Sequence, residues 1–393
     1  MIASPLDARS PRAVRDLLVS HGWADALAAD AAQGFAGTAV HLEGLDAPAL
    51  EALVHVGGRL GLDVLTGQDW AVVAGGASRL GALARPWSVP EPLAPAAEAI
   101  GHALPAAPPG HWMVRDRVIS LERPVIMGIL NVTPDSFSDG RPGESVADAV
   151  RRAEGLVREG AAIIDVGGES TRPGRTGLIG AEEELHRTVP VVAALTRTLP
   201  EVTISVDTMK ASVARAALEA GAHVVNDVTA LRHDPELAGV VAGAGAGLIL
   251  MHSRGNALEI ASDRHARYRD VTGEVRSELL AARQLATDAG VRSERIALDP
   301  GFGFSKTAAQ NLELAEGLRL LAGLGQPLLA GPSRKRFLGT VTGRPAAERD
   351  VATAVCCALC FERGARIFRV HDAATTRDAL QVAAAMIEPE PAA

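Results

Sequence analysis

Eight short apolar runs between residues 125 and 370, separated by stretches with helical periodicity, most constrain the fold of this chain. Continuous apolar runs of this length are typical of parallel strands that helices bury on both faces. Eight such units in about 265 residues match a (β/α)8 TIM barrel. An open doubly wound sheet is the alternative, although no dinucleotide-binding glycine fingerprint follows the first run. The runs are VIMGIL (125–130), AIIDVG (162–167), TISVD (203–207), HVVND (223–227), GLILM (247–251), IALD (296–299), PLLAG (327–331) and RIFRV (366–370).

The first intervening stretch has clear helix signals at both ends. Ser145 and Asp148 form a capping-box pattern, and Gly160 is placed to end the helix. Between them, apolar residues recur at the spacing of one helical face. The stretch from Lys210 to Gly221 repeats this scheme. The sequence therefore predicts helices between buried parallel strands.

Residues 1–87 predict a separate small α/β domain. Helices are expected at 11–20 and 47–60, a strand at 38–42, and a hairpin in which the turn TGQD joins 62–65 to 70–73. No His, Cys or carboxylate cluster with ligand spacing is evident in this region, so we expect a structural or interaction role. Six prolines among the 23 residues of 88–110 predict a semi-rigid linker, with the barrel at 111–390.

The net charge of −8 and the isoelectric point near 5.8 argue against binding to nucleic acid or to an anionic membrane surface. The first thirty residues lack the apolar region of a secretory signal, and no apolar stretch is long enough for a bilayer span, so a cytoplasmic protein is expected. The three cysteines are too few for a disulfide framework. Cys357 and Cys360 form a C-x-x-C within AVCCALC, which we interpret as part of a buried helix.

Polar residues follow every predicted strand. Because the C-terminal ends of parallel strands meet at one mouth of a barrel, Asp207, Asn226 and Asp299 are expected to converge there. Buried polar groups need partners, and a ligand rich in N–H donors would supply them. Asp372 opens the final helix, and a helix N-cap is the favoured interpretation for it. The same mouth is expected to hold four cationic or ionisable groups: Arg172, Lys335, Arg369 and His371. Such a group of cations favours an anion such as phosphate, with Mg²⁺ bridging its oxygens.

Six motifs in this part of the chain resemble those of the dihydropteroate synthase family. They occur in order, follow nearly every predicted strand and cover about residues 111–388. An unrelated barrel would share the fold without these site residues, so the set is highly specific. The motifs are NVTPDSFSDG (131–140), GGESTRPG (167–174), SVDT (205–208), DPGFGF (299–304), SRKRFLG (333–339) and RVHD (369–372).

The resemblance implies an enzyme of folate biosynthesis. It would join 6-hydroxymethyl-7,8-dihydropterin pyrophosphate to 4-aminobenzoate and release 7,8-dihydropteroate and pyrophosphate. In that family the C–O bond to pyrophosphate breaks first, and Mg²⁺ helps to neutralise the leaving group. By position, the residues that match the family's pterin ligands are Asp207, Asn226, Asp299, Lys335 and Arg369.

The resemblance also assigns the other parts of the site. Asn131 matches the residue that coordinates Mg²⁺ and pyrophosphate, and Arg369 and His371 match the pyrophosphate-binding pair. Catalysis would depend on five residues: Asp207, Lys335, Arg369, His371 and Arg172. The residues that match the 4-aminobenzoate pocket and its two loops are Phe137, Thr171, Arg172, Pro173, Phe302 and Ser333.

Two other functions remain open on the sequence. A methyltetrahydrofolate-dependent methyltransferase shares a pterin-binding barrel, but it binds no pyrophosphate and has no need of SRK and RVHD. A pterin-binding paralogue without catalysis would typically lose part of STRPG or NVTPDSF, and both are intact here. Family members are commonly dimers through late barrel helices, so the Ala- and Cys-rich helix expected at 346–363 predicts a homodimer.

Overall fold

The computed structural model describes residues 2–7, 11–25, 27–28, 38–75, 77–104, 109–133, 145–169 and 177–387. The chain divides into two compact units, an N-terminal unit of residues 1–107 and a barrel unit of residues 108–393. Among the helices of the described ranges, none combines the length and the apolar character that crossing a bilayer requires.

The N-terminal unit contains a four-stranded antiparallel sheet in the order β1-β2-β4-β3. The predicted hairpin is present as β3 and β4, whereas β1 has no counterpart in the sequence prediction. The strands are β1 (Ile2–Asp7), β2 (Thr38–Glu43), β3 (Asp63–Thr66) and β4 (Trp70–Gly75). The helices are α1 (Pro11–Ser20), α2 (Ala47–Leu60), α3 (Ala77–Leu83) and α4 (Ala94–Ala103).

Both faces of this sheet are buried, because alternate residues of β2 and β4 pack on different helices. Val40 and Val73 belong to a cluster with residues of α2, α3 and α4. On the opposite face, Ala39 and Val72 contact Val14 of α1. The unit therefore has its own hydrophobic core.

The linker prediction for residues 88–110 is wrong over much of its length. A 3-10 turn at Glu91–Leu93 leads directly into α4, whose Ala96 and Ile100 are fully buried in the core of the N-terminal unit. Proline is compatible with this helix because Pro95 lies in its first turn, where no intrahelical N–H bond is lost. The division between the units falls after Ala107.

The barrel unit contains the eight parallel strands that the apolar runs predict. The strands follow the order β12-β11-β10-β9-β8-β7-β14-β13, and the bridge between Leu298 and Leu328 joins the two ends of this order into a closed barrel. An open sheet is thereby excluded. The strands are β7 (Val125–Asn131), β8 (Ala161–Gly167), β9 (Thr203–Asp207), β10 (Val224–Asp227), β11 (Gly247–Met251), β12 (Ile296–Asp299), β13 (Leu329–Ala330) and β14 (Ile367–Val370).

Helices cover the outside of the barrel, and one long hydrophobic cluster runs between them and the strands. The predicted capping box is present at the first of them, where Ser145 and Asp148 bond reciprocally to each other's backbone. The helices are α5 (Val146–Arg158), α6 (Ala181–Thr198), α7 (Ala211–Glu219), α8 (Leu237–Ala244), α9 (Val271–Asp288), α10 (Ala308–Glu316), α11 (Leu318–Ala322), α12 (Arg336–Thr342), α13 (Asp350–Glu362) and α14 (Ala373–Ile387).

A short hairpin that the sequence did not predict closes the N-terminal end of the barrel. It consists of β5 (His111–Val114) and β6 (Arg117–Ser120). Trp112 is fully buried among the first residues of the barrel strands, and its Nε1 donates to the carbonyl oxygen of Arg295 at 2.9 Å. The large indole fills the barrel interior at this end, where strands alone would leave a void.

Candidate active site

The interior of the barrel changes character along its length. Near the strand starts, the inward positions carry apolar side chains such as Met127, Ile163 and Ile367. Two residues further along a strand the side chain again points inward, because strand side chains alternate between faces. At that level the interior becomes polar and charged. The polar inward residues are Asp165, Asp207, Asn226, Asp299 and Arg369.

Arg369 lies at the centre of this polar layer. Its Nε donates to Asp165 Oδ2 at 2.6 Å, and its Nη2 donates to Asp207 Oδ2 at 2.8 Å. Asn226 Nδ2 donates to the same Asp165 oxygen at 3.1 Å. One guanidinium on β14 thus binds carboxylates on the neighbouring strands β8 and β9, and its fork of donors suits two carboxylates.

Burial controls the charge of the carboxylates in this layer. It raises the pKa of Asp207 to about 7, although Arg369 opposes the shift. Burial also raises the pKa of Asp299 to about 6, against a bond from the N–H of Gly301 to Asp299 Oδ1 at 2.7 Å and the charge of Lys335. The pKa of Arg369 is raised, because the neighbouring carboxylates outweigh its own burial. Both acids therefore titrate close to neutral pH.

Lys335 follows the seventh strand and points its ammonium at an aromatic ring. Its Nζ lies 3.6 Å from the ring centroid of Phe304, a cation–π contact. Burial, with the nearby Arg369, lowers the pKa of Lys335 to about 7. The chain needs glycine at Gly303, where φ is +77° and an added Cβ would lie 2.7 Å from Lys335 Cδ.

His371 and Ser333 are held together at the ends of the last two strands. Ser333 Oγ lies 2.8 Å from His371 Nδ1 and accepts from the backbone N–H of His371 at 3.1 Å. The next residue, Asp372, accepts from the backbone N–H of Thr375 at 3.0 Å. Asp372 therefore caps the final helix, as the sequence predicted.

Asn131 lies at the end of the first barrel strand, beside the glycine that ends the second. A Cβ on Gly167 would come within 3.2 Å of Asn131 Oδ1 and 3.9 Å of Asp207 Oδ2. The lack of a side chain at Gly167 leaves space in front of these two oxygens. A small cradle with oxygen ligands is the chemistry that a hard cation such as Mg²⁺ prefers.

The structure places Phe302 differently from its predicted position in the 4-aminobenzoate pocket. Phe302 is 1% exposed and stacks on Phe337 in the cluster outside the barrel, with ring centroids 6.0 Å apart. Its ring therefore does not line the mouth, contrary to the prediction. Phe304, two residues later, meets Lys335 instead. Gly301, directly before Phe302, has φ +71°, and a Cβ at this position would overlap the carbonyl oxygen of His252.

Two groups in the described residues have roles that the sequence motifs left unassigned. Asp165 is fully buried in mid-strand and accepts from both Arg369 and Asn226. The sequence could have predicted this role for Asp165, because an acid two residues after an apolar inward residue of a strand also points into the barrel. Lys306 is 2% exposed, donates to the carbonyl oxygens of Gly301 and Phe304, and has its pKa lowered to about 7 by burial.

Lys306 also links the glycine-rich loop to the fifth strand. Its Nζ lies 3.0 Å from His252 Nδ1, and His252 Nε2 lies 2.9 Å from Glu278 Oε2. Burial lowers the pKa of His252 to about 4, so this imidazole is neutral and accepts from the ammonium. The chain of contacts supports the loop that carries Gly301 and Phe304.

Four of the predicted site residues lie outside the described residues: Phe137, Thr171, Arg172 and Pro173. Glu169, the last described residue before Thr171, makes several polar contacts. Its Oε2 accepts from Lys210 Nζ at 2.6 Å, and Lys210 also pairs with the buried Glu184. Glu169 Oε1 accepts from the backbone N–H of Ile179 at 3.2 Å, so Glu169 contacts both Lys210 and the residues before α6.

Among the described residues, some buried oxygens of the polar layer have no hydrogen-bond partner. They are Asp165 Oδ1, Asn226 Oδ1 and Ser205 Oγ. A buried polar group without a partner lowers the stability of the folded protein, so these oxygens suit a ligand that brings N–H donors. A planar heterocycle with ring N–H and amino groups has this pattern of donors.

Comparison with known proteins gives independent evidence on the family of this chain. Residues 127–371 match the family model described as pterin binding enzyme. A dihydropteroate synthase of Mycobacterium leprae is 46% identical over 281 residues, which is 70% of this chain and 97% of that protein. One from Synechocystis is 45% identical over 268 residues, 67% of this chain and 91% of the relative.

Solved structures show the same likeness. A Xanthomonas albilineans dihydropteroate synthase with 4-aminobenzoic acid is 42% identical, with a TM-score of 0.66, over 72% of this chain and 99% of that one. The same enzyme in complex with 7,8-dihydropteroate is 40% identical, with a TM-score of 0.63, over 72% and 100%. By fold, by site and by likeness, the chain belongs to the dihydropteroate synthase family of pterin-binding enzymes.

Proposed function

We propose that this chain condenses 6-hydroxymethyl-7,8-dihydropterin pyrophosphate with 4-aminobenzoate, giving 7,8-dihydropteroate and pyrophosphate. The observation that carries the proposal is the polar layer around Arg369, with acids and an amide for a pterin next to cations for a pyrophosphate. Relatives solved with 4-aminobenzoic acid and with dihydropteroate support it.

The pterin ring lies in the polar layer, where Asp207, Asn226 and Asp299 accept from its N–H and amino groups. Asn226 accepts through Oδ1, which has no partner in the protein, and Asp165 Oδ1 is a further unpaired acceptor in that layer. Lys335 donates to an acceptor atom on the ring edge. Asp165 is a positioning residue, since it holds Arg369 and Asn226 in place through one oxygen.

The pyrophosphate lies towards Asn131 and His371, outside the pterin. Arg369 and His371 attract its oxygens, and Ser333 orients the imidazole through Nδ1. Asn131 Oδ1, with the open space above Gly167, would hold Mg²⁺. When bound, this ion would neutralise charge on the leaving group.

The reaction needs no nucleophile from the protein. The C–O bond of the pterin methylene breaks and its electron pair leaves with pyrophosphate. The amine of 4-aminobenzoate supplies the electron pair of the new C–N bond and then releases a proton. Asp207 lies beside the ring and stabilises the developing cation, while Arg369 and His371 stabilise the leaving oxygen. By resemblance, the remaining groups for 4-aminobenzoate are Phe137, Thr171, Arg172 and Pro173, which lie outside the described residues.

The test is pyrophosphate release by the purified full chain. The pterin pyrophosphate and Mg²⁺ are supplied with and without 4-aminobenzoate, and the product is identified by its mass. We expect release coupled to dihydropteroate formation. Pterin binding without condensation would instead favour a non-catalytic paralogue, and transfer of a methyl group from methyltetrahydrofolate would favour the methyltransferase.

The protein is also proposed to act as a cytoplasmic homodimer. Val351, Val355 and Leu359 are exposed at four-residue spacing on one face of α13, and Val382 and Met386 are exposed on α14, which packs beside it. An apolar surface of this kind on paired helices supports self-association. Light scattering at micromolar concentration should give twice the chain mass, and a monomer mass would remove the proposal.

A further inference from the structure

The N-terminal unit brings three potential metal ligands to one point, although the sequence predicted no such cluster there. His41 and Glu43 are two residues apart on β2 and share one face of the sheet. His21 belongs to the turn that follows α1. The ligand atoms of the three side chains all lie within 4.8 Å of one another, and the two imidazole Nε2 atoms are 3.1 Å apart.

The two imidazoles are held in this arrangement by their surroundings. The ring of His21 stacks on Trp70, with centroids 4.4 Å apart and an interplanar angle of 24°. His41 is 8% exposed, so the residues packed around it fix the position of its ring. The fold of the unit therefore orients the two imidazoles before any ion binds.

A hydrogen bond from one imidazole to the other would account for the pair but not for the carboxylate beside it. A tetrahedral ion with ligands at about 2.0–2.1 Å holds its donor atoms about 3.3 Å apart, close to the observed N–N distance. Glu43 is exposed, so its side chain can rotate towards the imidazoles without disturbing the core. Two imidazoles and a carboxylate form a set typical of Zn²⁺.

We propose that His21, His41 and Glu43 bind Zn²⁺, with water as the fourth ligand. The ion would connect the end of α1 to the central strand β2, in a unit that packs two small cores. This site belongs to the N-terminal unit, and its existence does not depend on the chemistry of the barrel. Binding to the folded state alone would raise the stability of the unit.

The test titrates Zn²⁺ into the chelator-treated full chain in excess Mg²⁺, with calorimetry and metal analysis as readouts. We expect one Zn²⁺ per chain at a site that His21→Gln weakens at least about 100-fold and Glu43→Gln at least about 10-fold, because loss of even an outer-shell partner costs about 10–100-fold in metal affinity. His55→Gln is the matched control, because His55 is exposed on α2 of the same unit. Its Zn²⁺ affinity should equal that of the unchanged chain.

Both test positions avoid the most buried ligand, so loss of binding cannot be ascribed to a disrupted core. Circular dichroism of each variant without metal should match the parent chain. Zn²⁺ should also raise the unfolding midpoint of the parent and of His55→Gln, but not of His21→Gln. Absence of stoichiometric uptake by the parent chain, or unchanged affinity in either ligand variant, overturns the site.

Discussion

The two ends of the barrel are built from the same strands and have opposite chemistry. At the N-terminal end the inward residues are apolar, and Trp112 fills the space between them. At the C-terminal end, one alternation further, the inward residues are Asp165, Asp207, Asn226, Asp299 and Arg369. The comparison shows how one strand period supplies both a core and a binding site.

The difference has an energetic consequence. The apolar end contributes hydrophobic burial without polar groups to satisfy. The polar end holds charges that the interior disfavours, since burial raises the pKa of Asp207 to about 7 and lowers that of Lys335 to about 7. The apolar end therefore contributes most of the stabilisation, and this allows the site to retain polar groups whose hydrogen bonds are completed only by its ligands.

The largest effect, a loss of stability, is expected from Trp112→Ala, which removes the largest side chain from the apolar end of the barrel. The variant removes a fully buried indole and leaves a cavity, which costs about 3–5 kcal/mol of unfolding free energy. Urea denaturation measures the loss. Trp87→Ala is the matched control, because that side chain is 83% exposed and should change stability by less than about 0.5 kcal/mol. Equal losses in the two variants would show that the hairpin is not part of the barrel core.

Lys335→Ala tests the polar end. We expect kcat/KM to fall about 10²–10³-fold, because a donor to substrate is lost. The unfolding free energy should stay level or rise, since burial disfavours the Lys335 ammonium. Steady-state kinetics and urea denaturation separate the two effects. Arg344→Ala, at a side chain that is 62% exposed, serves as control and should keep parent kinetics. A large loss of stability in Lys335→Ala would contradict the contrast between the ends.

The pH dependence of kcat/KM gives the smallest effect. As pH falls below about 7, Asp207 and then Asp299 take up protons and cease to be full acceptors, since their pKa values are raised to about 7 and about 6. As pH rises above about 7, Lys335 loses its proton, because its pKa is lowered to about 7. We expect a bell with its maximum near neutral pH, about tenfold loss per pH unit on the basic limb, and an acidic limb that steepens below about pH 6, where the second acid is also protonated.

The variant Lys335→Arg tests whether Lys335 causes the basic limb of the pH profile of kcat/KM. A guanidinium keeps its charge at every pH in the range, so the basic limb should move to higher pH while the acidic limb stays. A profile that is flat on the basic side in the parent chain would remove Lys335 from the ionisations that control activity.

Much of the barrel could be predicted because its signals are local. Each of the eight apolar runs became a strand, and Ser145 and Asp372 cap helices as their positions predict. The convergence of Asp207, Asn226 and Asp299 followed from parallel strands having their C-terminal ends on one side. The roles of Phe137, Thr171, Arg172 and Pro173 stay predictions, since they lie outside the described residues.

Other features depended on contacts between residues far apart in the chain. The sequence motif suggested Phe302 for the mouth, and only the path of the glycine-rich loop selected Phe304. The proline-rich stretch suggested a linker, and burial of Ile100 in a neighbouring core made it a helix. Tertiary packing overrides local propensity where it buries apolar surface.

The sequence by itself determined which strands of the barrel form, which side chains end them and which family the motifs resemble. These properties rest on periodicity and residue type, both of which are local. The tertiary structure decided that one arginine joins Asp165 to Asp207, that Trp112 closes the barrel, and that His21 meets His41. Each of these depends on how the chain closes on itself, because residues 20 or more positions apart meet only through packing.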